Sequence, residues 1–388
     1  MSFDFSPDAL DREFPVRRNF LYLNHAAVAA LPRRVADAMT AHIENARDRG
    51  AADWRAWFGL IEATREKAAR LIHVAPSEIA FVPNTGWGLN LVAQNFPWTD
   101  GDNVVTTDME FPSNAFPWRG LAERGVECRA ARSRGGRIRA EDLLALADAR
   151  TRVVAVSWVA FHNGFVMPLA ELGAFCRERG ILLVVDAIQG LGALPLDART
   201  AKVDVLCADS HKWLYGTEGG GILFVDEASR SKVPARAVGW WNLKTEGEFL
   251  EYRATLYSGA RRYEPGTLPT ANLAGLGAAL DLLAAMGADA VRSRILDNVA
   301  ALRDGLSGRG WRIATPEPLA SGILAAVPPS ADARRWAKAL EARRVIVAPR
   351  EGYVRFAPHA GNDVGEVGRA LAEIDAIGAP DRGSEPDP

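Results

Sequence analysis

Three short stretches of this sequence hold residues that an ordinary soluble core does not need. Lys212 ends the triplet Ser210–His211–Lys212, just past the apolar run Val203–Ala208. Lysine resists burial unless it is paired or functional. In an apolar pocket its pKa falls, which leaves an amine able to attack a carbonyl. Asp186 closes the apolar run that begins at Ile181, and Gln189 follows three residues later. An acid at that position either caps a helix or faces a site. The third stretch runs from Asn84 through Thr85, Gly86, Trp87 and Gly88 to Asn90, joining a strand-like run to a helical one. Free amide groups and the helix dipole suit an anion there. Gly86 and Gly88 also resemble the opening of a dinucleotide fingerprint, but its third glycine falls on Leu91, which argues against a nicotinamide cofactor.

Strand ends must hold these residues in place. The predicted strands are Glu78–Pro83, Asn103–Thr107, Arg152–Val159, Ile181–Asp186, Val203–Cys207 and Gly221–Val225. Helical patterns at Gly88–Phe96, Ala115–Arg124, Glu141–Ala149 and Leu169–Arg179 alternate with them. The alternation implies an α/β fold with a largely parallel sheet covered on both faces, and such sheets bind ligands at the carboxyl ends of their strands. From about Ala271 the pattern changes to a predicted amphipathic helix, Leu273–Met286, followed by strands near Gly322–Val327, Val345–Ala348 and Tyr353–Phe356. The expected division is an N-terminal segment (1–30) joining the active site, a large domain (31–270), a small C-terminal α/β domain (271–378) and a disordered Pro- and acid-rich tail (379–388). The basic run Arg129–Arg139 reads as a solvated surface turn.

Composition narrows the class. The chain has 388 residues, 48% hydrophobic and 24% charged, with a formal net charge of −2, so nothing electrostatic favours nucleic acid or an anionic membrane. No stretch reaches the roughly 20 apolar residues of a membrane helix, and the N-terminus has no signal-like apolar region, so the cytoplasm is expected. Cys128, Cys176 and Cys207 are too few for a disulfide framework, and no His/Cys/Asp spacing suggests a metal. Trp54, Trp57, Phe58 and Leu60 read as packing. Trp240 and Trp241 are candidates for the substrate mouth, and His25 and His162 for either substrate contacts or structural hydrogen bonds.

Taken together, the motifs carry a family resemblance. The segment Val184–Gln189, then Ala208–Gly216 with its His-Lys pair, resembles the cofactor region of class V aminotransferases and cysteine desulfurases. Tyr22–Ala27 resembles that family's N-terminal active-site segment, Arg261–Thr267 its cross-subunit segment and Tyr353–Phe356 its C-terminal arginine strand. The resemblance implies a fold type I enzyme of the aspartate aminotransferase class that uses pyridoxal 5'-phosphate (PLP). It implies a Schiff base on Lys212, which would then shuttle protons. It places Asp186 on the pyridinium nitrogen and Gln189 on the ring hydroxyl oxygen. Thr85 and Gly86 would meet the phosphate, with Ser210 and His211 nearby. Thr267 would reach that phosphate from a partner subunit, which implies a homodimer with shared active sites. Arg355 would bind the carboxylate of a small-molecule amino-acid substrate, with His25 beside it.

The sequence departs from the desulfurase pattern in telling places. Phe111 follows Glu110 where desulfurases stack a proton-transferring His on the cofactor ring. Asp209 stands near the phosphate, Gly86 replaces a phosphate-loop Thr, and Phe161 occupies the position of a frequent Asn. Residues 208–388 contain no Cys, which removes the thiolate that a persulfide mechanism needs. Transamination ranks first among the remaining reactions, β-elimination by a C–S lyase second and epimerisation third. A non-catalytic homologue or an NAD-dependent oxidoreductase would be the alternatives of another class.

Overall fold

The apolar runs in the middle of the chain form strands buried on both faces, as continuous Val/Ile/Leu runs require. The structure is a computed structural model and describes residues 3–244, 250, 252, 255–330 and 332–378; the expected disordered tail lies outside the described residues. After a short β1 (Leu21–Tyr22) come β2 (Ile79–Val82), β3 (Asn103–Thr107), β4 (Glu127–Ala131), β5 (Thr151–Ser157), β6 (Leu182–Asp186), β7 (Val205–Ala208) and β8 (Gly221–Val225). The last seven form one sheet in the order β2-β8-β7-β6-β5-β3-β4. Strands β3 to β7 are parallel, and β8 runs antiparallel to both of its neighbours. Val154, Val156, Leu183, Val185 and Leu206 join the core on one face, and Val153, Ala155, Leu182, Val184 and Val205 join it on the other.

A hairpin-like pair, β9 (Leu243–Lys244) and β10 (Thr255–Leu256), lies outside this sheet. Further on, β11 (Arg312–Ile313), β12 (Leu324–Val327), β14 (Ala348–Arg350) and β15 (Tyr353–Phe356) make an antiparallel sheet in the order β11-β12-β15-β14. Between them, β13 (Val345–Ile346) pairs in parallel with β1, which ties the start of the chain to its late part.

Helix Thr85–Asn95 sets the geometry of the anion site. Asn84 caps it, its Oδ1 accepting from the Trp87 N–H at 2.8 Å. A Cβ at Gly88 would stand 2.5 Å from Cys207 Sγ, so the absent side chain is what lets the helix lie against β7. The capping residue also starts this helix three residues earlier than the periodicity predicted.

Two expectations need correction. Residues 127–131, whose last three belong to the supposed turn Arg129–Arg139, form edge strand β4 beside β3. Arg129 hides the strand pattern because it sits at the edge and pairs with Glu127 and Asp148. The Leu273–Met286 helix runs Thr270–Met286 and is not amphipathic: buried residues lie nearly all round it, as expected of a core helix. Helices Arg33–Arg49 and Trp54–Leu71 pack against it. Among the described residues no single helix is long and apolar enough to cross a membrane.

Candidate active site

A cavity of about 400 Å³ opens where the carboxyl ends of the parallel strands meet the late antiparallel sheet. It brings together Thr85, Gly86, Phe111, Asp186, Gln189, His211, Lys212 and Arg355. Asp186 ends β6, and its Oδ1 accepts from the Ile188 N–H at 3.0 Å. Burial pushes its carboxyl up to about 6, against the pull of that amide and of Lys212. Burial brings the Lys212 amine down to about 8, with Asp186 opposing the fall. A neutral amine is therefore within reach near physiological pH, and the carboxylate beneath it gains from any cationic N–H placed against it.

The neighbours of these two groups are fixed in place. Trp213 Nε1 donates to Gln189 Oε1 at 2.9 Å, and Gln189 Nε2 donates to the Ala26 carbonyl at 2.9 Å. A primary amide has two N–H groups, so one stays free for the cavity that Gln189 lines. Phe111 is the residue before helix Pro112–Arg119, and its ring centroid lies 5.7 Å from Lys212 Nζ. Half-buried Glu110 holds this corner by accepting from Thr107 Oγ1, Asn114 Nδ2 and both the N–H and Oγ of Ser157.

At the anion end, the Asp209 N–H donates to Thr85 Oγ1 at 2.9 Å. The carboxylate of Asp209 is taken up by His211 Nδ1 at 2.8 Å, which resolves its awkward place beside a phosphate site. Ser113, which the sequence did not single out, also lines the cavity, and its Oγ lies 3.6 Å from where a Gly86 Cβ would stand. At the other end, Arg355 on β15 donates from Nη1 to the Phe161 carbonyl at 2.7 Å, while its buried Nε and Nη2 have no hydrogen-bond partner among the described residues. Burial, and then Arg350, lower its pKa to about 9. A buried cation with orphaned donors is costly unless an anion completes it.

Six residues expected at the site fall outside the cavity. Ser210 turns away, donating its hydroxyl to the Thr217 carbonyl at 2.6 Å. His25 is wholly buried, its Nδ1 3.1 Å from the Ala357 carbonyl and its ring packed on Tyr22, Tyr215 and His359; it is a structural residue within this chain. His162 packs edge-on against Phe161 and does not line the cavity. Thr267 is exposed and lies away from the cavity lining in its own chain. Trp241 is buried against Phe58 and donates to Glu264, the exposed Trp240 packs on it, and neither lines this cavity. Among the described residues no group of His, Cys, Asp and Glu is placed to hold a metal.

The residues fit PLP: an amine for its aldehyde, a buried carboxylate for its ring nitrogen, an aromatic face, a helix start with Thr85 and His211 for its phosphate, and unfilled arginine donors for a substrate. The family description "Aminotransferase class-V" matches residues 21–352. The chain belongs to the class-V aminotransferase family. A probable cysteine desulfurase of Methanothermobacter thermautotrophicus is 32% identical to this class-V chain over 288 residues, covering 71% of it and 70% of the relative. An uncharacterized aminotransferase of Bacillus subtilis is 27% identical over 374 residues, covering 95% and 98%. Among solved structures, a C-DES variant with glycine covalently linked to PLP superposes with a TM-score of 0.89 at 26% identity, covering 96% of this chain and all of that one. The cystine C–S lyase C-DES bound to cysteine persulfide gives 0.87 at 26% identity, covering 93% and 98%. This class-V protein is a PLP-dependent enzyme.

Proposed function

We propose that the enzyme transaminates an amino acid: with PLP bound, Lys212 Nζ would take up the Cα proton and deliver it on the same face to the cofactor carbon C4′, which would keep the amino group while the substrate leaves as a keto acid. The observation that supports this reading is the isolation of Lys212 as a proton carrier. Of the other titratable groups lining the cavity, Asp209 and His211 engage each other and Asp186 lies buried beside the amine; an arginine guanidinium has no acceptor with which to take up a proton. Bound PLP supplies an electron sink that stabilises negative charge at Cα. Arg355 orients the substrate by its carboxylate, and Phe111 keeps water from one face of the reacting plane. Epimerisation needs a second acid/base on that face, and Phe111 cannot supply one.

β-Elimination is the second reading. It is favoured by the likeness to a cystine C–S lyase over nearly the whole chain, and the absence of any Cys after Cys207 does not exclude it, since elimination needs only Lys212 and a good leaving group. The test is a panel of L-amino acids given to the purified enzyme, with keto acid, ammonia and chirality followed separately. Keto acid formed only with an added acceptor supports transamination; pyruvate and ammonia without an acceptor would replace it with elimination.

We also propose a homodimer in the cytoplasm, with the division at residues 30, 270 and 378 as its domain plan. Support for the dimer is the exposed Thr267, two residues past Pro265, which with Trp87, Leu91 and Tyr263 lines an apolar hollow. Mixing Lys212→Ala protein with Thr267→Ala protein should recover activity beyond either alone if sites are shared between subunits. No recovery, with a monomer by sedimentation, would exclude it.

A further inference from the structure

Arg350 lines the same cavity. It is the last residue of β14, joined to β15 through Glu351 and Gly352, both at positive φ (48° and 81°). This is the two-residue turn that matches strand twist, and it fixes the register. Arg350 pairs with Tyr353 and Ala348 with Arg355. Because side chains alternate along a strand, Arg350 and Arg355 emerge on one face as diagonal neighbours.

Two guanidinium groups side by side repel, and each depresses the titration of Lys212 as well. Among the described residues neither has a carboxylate partner. Arg350 Nη1 donates to its neighbour's carbonyl, that of Pro349, at 2.8 Å. The carboxylates that line the cavity are Asp209, already held by His211, and Asp186, buried beside Lys212. One amino-acid carboxylate satisfies Arg355 and leaves Arg350 facing the cavity with charge to spare. A second anion on the substrate removes that imbalance.

We propose that Arg350 is a specificity residue, and that the substrate is an amino acid whose side chain ends in a carboxylate. The α-carboxylate sits on Arg355 and the distal one on Arg350, across the separation of a diagonal cross-strand pair. The proposal rests on the amino-acid reading of the site above, but binding tests it without turnover. The PLP-loaded protein is titrated by calorimetry with glutarate and with its monoamide, which has the same size and one charge fewer. Glutarate should bind roughly 10- to 100-fold more tightly, the worth of a charged hydrogen bond. Arg350→Gln should bring that ratio close to one, Arg350→Lys should keep part of it, and Arg355→Gln should weaken both ligands. In turnover, the ratio of kcat/KM for L-glutamate over L-glutamine should collapse in Arg350→Gln. Equal or undetectable binding of both ligands to the unaltered protein overturns the proposal. So does an unchanged ratio in Arg350→Gln, or a loss of PLP retention in that variant, which would place Arg350 on the phosphate. Turnover of neither amino acid, with the glutarate preference intact, would instead refute the reaction assignment alone.

Discussion

Lys212 and Asp186 bias each other across the floor of the cavity. Burial lowers the amine to about 8 and lifts the carboxyl to about 6, while each charge favours the other. In protein freed of PLP, labelling of Lys212 by an amine reagent should rise as pH passes through about 8, since only the neutral amine reacts. Asp186→Asn removes a charge that holds the amine protonated, so the midpoint should move to lower pH. Peptide mass spectrometry across a pH series reads both, and a midpoint near 10.5 would contradict the burial argument. Arg355 makes a second residue-scale case. Its orphaned Nε and Nη2 mean that Arg355→Gln should raise KM by roughly 10- to 100-fold. The same change should leave the melting temperature of substrate-free protein unchanged or higher, because the fold there carries an uncompensated buried charge. Thermal scans with and without substrate separate the two effects.

Helix Thr85–Asn95 owes its position to Gly88. Gly88→Ala would drive a methyl group into Cys207 Sγ, 2.5 Å from the ideal Cβ, and should destabilise the protein by about 1–3 kcal/mol. Adding Cys207→Ala should recover much of that loss in denaturant titrations, and no recovery would place the strain elsewhere. Such elements differ in how well the sequence exposes them. The strand that ends in Asp186 and the strand that leads to Lys212 were legible because apolar runs end abruptly in polar residues, so element and site residue are announced together. Strand β4 was hidden because Glu127 and Arg129, tolerated at the sheet edge, break the apolar run. Helix Thr270–Met286 misled in the other direction: buried on nearly all sides, it has no polar face to reveal its packing. Arg350 was missed although the Glu351–Gly352 turn signals a tight hairpin. Only the paired register shows that it shares a face with Arg355. Ser210 and His25 sit in non-strand segments, where no periodicity sets side-chain direction, so their true orientation was beyond sequence patterning.

At the scale of the molecule, the N-terminal segment joins the two sheets. β1 pairs with β13, Gln189 reaches the Ala26 carbonyl, and the Ala29 N–H donates to the His211 carbonyl at 2.7 Å. His25 and His359 are buried at this junction with ring centroids 5.5 Å apart. Burial holds His25 down at about 4, and burial and then His25 hold His359 well below its usual range. Between pH 6.5 and about 4 the unfolded chain therefore binds more protons than the folded one. Stability is fully present above pH 6.5 and falls as the solution is acidified, by about 3 kcal/mol for His25 alone. His25→Asn should flatten the urea midpoint against pH across that window, and an unchanged slope would remove His25 from the account. The β1–β13 pairing has one more effect, in time. More than three hundred residues separate Tyr22 from Ile346, so on a ribosome adding roughly 5–20 residues per second, Tyr22 waits roughly 15–60 s for its partner strand. The first segment of the site to be synthesised is thus among the last to be locked, and a nascent chain cannot hold that segment in place before Val345–Ile346, shortly ahead of its final helix, has been made.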